Sequence, residues 1–143
     1  MITKYEQPVT RESAEEFIER KNGEWSRDRD RNRAIRMKDI GRDGWHYWVR
    51  EAWTFMMQSN QPQKVFVVER IRHTHRVGKQ ATSGGAKVGD IEYRIGYYLV
   101  RRIRKAEGTW GWGQFSPMIP QGDLRLLLEK ARGEGTIPKG VLA

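Results

Sequence analysis

The chain has 143 residues, 27 Lys and Arg against 18 Asp and Glu, a net charge of +9, and no cysteine. That length suits one domain, and six Trp, five Tyr and four Phe compensate for a low hydrophobic fraction of 37%. The missing cysteines exclude disulfides, thiolate metal sites and thiol nucleophiles, and no stretch has the length and apolarity of a signal peptide or membrane span, so a cytoplasmic protein is expected.

Residues 10–58 read as helical. Ser13 with Glu16 three positions on forms a capping-box pattern ahead of Phe17 and Ile18, and Gly23 is the expected end of that helix. Residues 26–33 have no apolar side chain. They read as a solvated face whose Arg27, Arg29, Arg31 and Arg33 have at most a minor role on phosphate. After Asp43-Gly44, the residues Trp45, Trp48, Val49, Ala52, Trp53 and Met56 follow helical spacing, which predicts a second helix packed on a sheet. Ser59–Gln63 is turn chemistry.

From residue 64 to 119 the pattern becomes that of antiparallel strands. Val65, Val67, Ile71 and Val77 share one face, and Phe66, Val68, Arg70 and Arg72 share the other. A second strand runs from Asp90 to about Ile103, and Thr109–Ile119 makes a third. Pairing Val67 with Leu99 and Ile71 with Ile95 keeps an apolar face continuous and is the expected register. A last helix spans 123–132, with Leu124, Leu127, Leu128 and Ala131 on one side, and 136–143 reads as a loose tail. The fold class is therefore α+β: N-terminal helices on an antiparallel meander of three or more strands, with a C-terminal helix.

Charge is concentrated on the strands. Residues 64–105 have eleven bases against Glu69, Asp90 and Glu92, so this segment contributes +8 of the +9. Arginines on adjacent strands repel unless an anion screens them, which points to a polyanion, DNA or RNA, bound alone or within a larger nucleoprotein assembly. The expected phosphate contacts are Arg70, Arg72, Arg76, Lys79, Lys87, Arg94, Arg101, Arg102, Arg104 and Lys105. Trp110 and Trp112, spaced by glycine, and Tyr98 are candidates for stacking on bases or forming a base pocket, while packing in the core is the competing reading for the tryptophans.

Neither a P-loop, a dinucleotide fingerprint nor a nucleophile elbow appears, so the expectation is binding without catalysis and without a cofactor. The alternative is a divalent metal held by His73, His75, Asp90 and Glu92 in a nuclease or base-modifying hydrolase, which requires the register pairing 73 with 92 and 75 with 90. A third reading is an interaction subunit docking an acidic protein.

Overall fold

A computed structural model describes residues 12–26, 33–38, 44–78, 85–102 and 107–142. Two helices, α1 (Ala14–Ser26) and α2 (Gln121–Gly133), pack on an antiparallel sheet of five strands. The strands are β1 (Ala34–Lys38), β2 (Trp45–Gln58), β3 (Gln61–Val77), β4 (Ile91–Val100) and β5 (Trp110–Trp112), adjacent in chain order. The α+β class is as expected, but the N-terminal part contains one helix and two strands.

The expected helix over the tryptophan stripe is therefore a strand. β2 runs fourteen residues against β3, from Trp45 opposite Val77 to Gln58 opposite Gln61. Both faces of this strand are covered, so its apolar residues do not alternate and the run mimics a helical stripe. Trp53 and Phe55 turn toward α1, while Thr54 and Met56 turn toward α2. A bulge between Arg50 and Ala52 shifts the phase midway and obscures the period further. The aromatic and β-branched content of the run suits a strand.

α1 begins with the capping box. The Glu16 N–H donates to Ser13 Oγ at 3.1 Å, and the Ser13 N–H donates to Glu16 Oε1 at 3.0 Å. The Ser13 backbone N–H, and after it the Ser13 hydroxyl, hold the Glu16 carboxyl below its ordinary pKa. The helix continues past Gly23 to Ser26, because Trp25 beyond the glycine packs on Trp53 with ring centroids 4.8 Å apart. Ala14 and Phe17 bury the rest of that face against Trp53, Phe55, Val65, Val67, Val100 and Trp110.

The opposite face of the sheet packs on α2. Phe66, Val68 and Tyr97 meet Leu127, Ala131 and Ile137 there. Asp123, in the first turn of α2, accepts the Ser59 N–H at 2.8 Å and so fixes the two-residue β2–β3 turn. The segment expected to be a loose tail is docked in part: Thr136 and Ile137 are buried, and Thr54 Oγ1 donates to Thr136 Oγ1 at 2.8 Å.

The β3–β4 register also differs from expectation. Val67 lies opposite Gly96, Val68 opposite Ile95 and Ile71 opposite Glu92. The expected register assumed that burial favours one continuous apolar face. With a helix on each side, both faces are buried near 65–68, so burial does not single out the expected register. A Cβ on Gly96 would lie 2.4 Å from Cη2 of Trp112, so the indole occupies the space that a side chain there would fill. Of the third expected strand, only Trp110–Trp112 pairs, with β4.

Candidate functional site

On the α1 face, beyond the end of the hydrophobic cluster, the sheet presents a row of polar side chains. The Glu69 carboxylate on β3 is fully buried and sits between two guanidinium groups. Arg50 from β2 binds its Oε2, and Arg94 Nε from β4 donates to its Oε1 at 2.7 Å. One carboxylate thus neutralises half of two cations. The next position in the row is the Trp112 indole of β5, with the Arg94 guanidinium 4.7 Å from its ring centroid. Tyr98 meets the same indole edge-on at 5.1 Å.

Arg50, Arg94, Tyr98 and Trp112 line a pocket of about 340 Å³, together with Lys21 of α1 and Arg33, Ala34 and Ile35 at the start of β1, with Glu69 buried behind the two arginines. Four cations line it, and among the described residues the carboxylates beside them are Glu69, between Arg50 and Arg94, and Glu24, 3.6 Å from Lys21 and shared with Arg20, so cations outnumber carboxylates there. Trp112 is 38% exposed, whereas most aromatic rings of the α1 cluster are shut away. An exposed indole next to excess guanidinium charge offers one flat apolar surface and one anion-binding surface side by side.

The candidate residues read from the sequence divide among several environments. Arg94, Trp112 and Tyr98 come together at this pocket. Trp110 is buried, stacked on Phe17 at 4.8 Å and bonded through Nε1 to the Glu12 carbonyl, so it belongs to the core. Arg70 and Arg72 lie on the other face, where both pair with Glu51. Arg70 also donates to the carbonyls of Gly135 and Thr136. The repulsion expected among the stem arginines is therefore relieved inside the protein, by Glu51 and Glu69, and the stem does not present one cationic face.

Arg76, Lys87, Arg101 and Arg102 are exposed. Arg101 lies across Gly111, where a Cβ would come within 2.1 Å of its Nε. Lys79, Arg104 and Lys105 lie outside the described residues.

The four residues of the alternative metal site do not converge. His73 is fully buried against Trp48, with its Nε2 2.9 Å from His46 Nδ1. Its backbone N–H donates to the Asp90 carbonyl, while the Asp90 carboxylate accepts the Lys87 N–H. A shift in register between Tyr47 and Trp48 turns His75 away, to stack on Tyr47 at 4.3 Å. Glu92 sits two positions from where the metal reading needs it, opposite Ile71. Among the described residues no group of three or more His, Asp or Glu side chains is placed to hold a metal ion. Burial, and after it the neighbouring His46 and Arg76, push the His73 pKa down.

Sequence reasoning missed Arg50 and Lys21. Both sat inside segments read as helix, and only their apposition across β2, β4 and α1 gives them a shared site. Arg33 was noted as a weak phosphate candidate, and it lines the pocket. Comparison with protein-family models, curated proteins and solved structures returned no match to the chain.

Proposed function

We propose that the protein binds nucleic acid by taking an unpaired nucleotide into the pocket lined by α1, β1, β2, β4 and β5. The base stacks on Trp112, and its phosphates lie against Arg33, Lys21 and the outer edges of Arg50 and Arg94. The observation that carries this reading is the Trp112–Arg94 stack, exposed within a pocket that has excess positive charge. A base in a duplex is stacked on both sides already, so an indole set into a concave wall favours single strands. The pocket volume is in the range of small-ligand sites and suits one nucleotide rather than a groove-length contact.

The test is a fluorescence-anisotropy titration with labelled single- and double-stranded DNA and RNA at two salt concentrations. The reading expects single strands to bind better than duplex, with affinity falling steeply as salt rises. Stacking on one indole is worth about 1–3 kcal/mol, so Trp112→Ala weakens binding by roughly 5- to 150-fold. Arg33→Ala lowers the salt slope by about one unit for each lost phosphate contact. Equal binding by wild type and Trp112→Ala, or affinity independent of salt, overturns the assignment. Binding of an acidic protein in place of any oligonucleotide would move the basic surface to a different partner class.

A further inference from the structure

β5 covers only the lower half of the β4 edge. Its pairs are Tyr98 with Trp112, Leu99 with Gly111 and Val100 with Trp110, and the last contact is the Gly113 N–H on the Tyr97 carbonyl at 2.8 Å. Among the described residues, no strand pairs with Ile91–Gly96 on that side. The hydrogen bonds give the direction of the backbone groups. Asp90 uses its carbonyl toward β3, whereas Tyr97 and Arg101 use theirs toward the β5 side. Backbone groups alternate along a strand, so the N–H and C=O of Ile91, Tyr93 and Ile95 all point outward from the open edge.

Sheet edges are normally blunted by lysine, proline or a bulge. This one has none of them. The side chains of Ile91, Tyr93 and Ile95 are 43%, 37% and 36% exposed and form an apolar row on the α2 face. Between them, on the α1 face, stand Glu92 and Arg94.

We propose that this edge pairs with the same edge of a second copy of the chain, antiparallel and centred on Tyr93. The sequence Ile91-Glu-Tyr-Arg-Ile95 is self-complementary in that register. Ile91 of each copy meets Ile95 of the other, Tyr93 meets Tyr93, and Glu92 meets Arg94. The outward backbone groups at 91, 93 and 95 then exchange hydrogen bonds about a two-fold axis, the isologous arrangement of a closed dimer. Shifting the centre to residue 92 sets Glu92 against Glu92, and shifting it to 94 sets Arg94 against Arg94. Like charges directly opposite are destabilising, so charge selects the register centred on Tyr93. The two-fold axis stands perpendicular to the joined ten-stranded sheet and leaves both α1 faces on one side. The edge shares Arg94 with the pocket, where it pairs with Glu69 and lies over Trp112; the pairing needs only its positive charge beside Glu92 of the other copy, and the mass of the free protein tests it without any ligand.

The experiment is sedimentation equilibrium of the full chain over a concentration series at moderate salt, with far-UV circular dichroism as the control for folding. Wild type is expected to reach twice the 16.8 kDa chain mass. Glu92→Lys places Lys against Arg94 and is expected to be monomeric over the same range, with an unchanged spectrum. Tyr93→Pro removes the central outward N–H at an edge position that tolerates proline, and is expected to be monomeric as well. Wild type at any mass other than the dimer overturns the proposal. So does a wild-type dimer that survives Glu92→Lys, because the register is then wrong.

Discussion

Replacing Glu69 with Gln removes one negative charge and almost no volume from the centre of the sheet. The carboxylate side chain is 1% exposed, and its two partners, Arg50 and Arg94, are 13% and 26% exposed. Removing one member of a buried ion pair costs about 3–5 kcal/mol, because the remaining charges are left without compensation. The two guanidinium groups keep some contact with water, so the lower end, about 3 kcal/mol, is expected here. That is a large share of a total stability of about 5–15 kcal/mol. Urea titration followed by tryptophan fluorescence measures it as a lower midpoint with unchanged slope. The loss should shrink with added salt, since anions take the place of the missing carboxylate. The triple variant Arg50→Met, Glu69→Leu, Arg94→Met replaces the whole triad by apolar groups and should recover most of the stability while losing oligonucleotide affinity. A Glu69→Gln protein with wild-type stability, or a loss indifferent to salt, would refute the view that this carboxylate neutralises the row.

Three further outcomes follow from particular contacts. Gly96→Ala puts a Cβ 2.4 Å from Cη2 and 2.7 Å from Cζ2 of Trp112, well inside the ~3.5–4.0 Å of normal carbon contact. The indole must move, so denaturation should show a loss of about 1–3 kcal/mol and oligonucleotide affinity should fall as in Trp112→Ala. His73 has its pKa pushed below the ordinary 6.5 by burial, so the unfolded chain takes up a proton that the folded chain refuses. Stability from this group is complete above pH 6.5 and is lost as pH falls from there toward the lowered folded-state value; urea midpoints between pH 7.5 and 5 should show a slope that His73→Gln flattens. Thr54→Val leaves the buried Thr136 hydroxyl without its partner and should cost about 1–3 kcal/mol, whereas Thr54→Val with Thr136→Val should cost much less. Equal losses in the single and double variants would mean that this hydrogen bond does not hold the segment after α2.

Local signals in the sequence were readable where one local interaction decides the structure. Ser13 and Glu16 announced the start of α1 because a capping box needs only three intervening bonds along the chain. The alternation of Val65, Phe66, Val67 and Val68 identified a strand, and Leu127 with Ala131 identified the buried side of α2. The failures came from residues whose state is decided by distant neighbours. Trp45–Gln58 fits a helical stripe by spacing and became a strand because α1 and α2 cover both of its faces. The β3–β4 register was not legible because Val65, Phe66, Val67 and Val68 are all buried, so neither face of β3 stands out as the apolar one. The concentration of charge on the strands grouped Arg94 with Arg70 and Arg72 as one cationic stem, and of these three only Arg94 lines the pocket. Glu51, hidden in the misread segment, binds Arg70 and Arg72 on the opposite face. Trp110 and Trp112 look alike in sequence, and only the position of Phe17 sends one to the core and leaves the other at the pocket.

The base-stacking role of Trp112 can be probed directly by photocrosslinking. A single-stranded oligonucleotide containing 5-bromouracil, irradiated in complex with the protein and digested with trypsin, should yield an adduct on the peptide Ala106–Arg125, with fragmentation placing it on Trp112. An adduct at Tyr47 or Tyr93, on the other side of the sheet, or the same yield from Trp112→Ala, would contradict it.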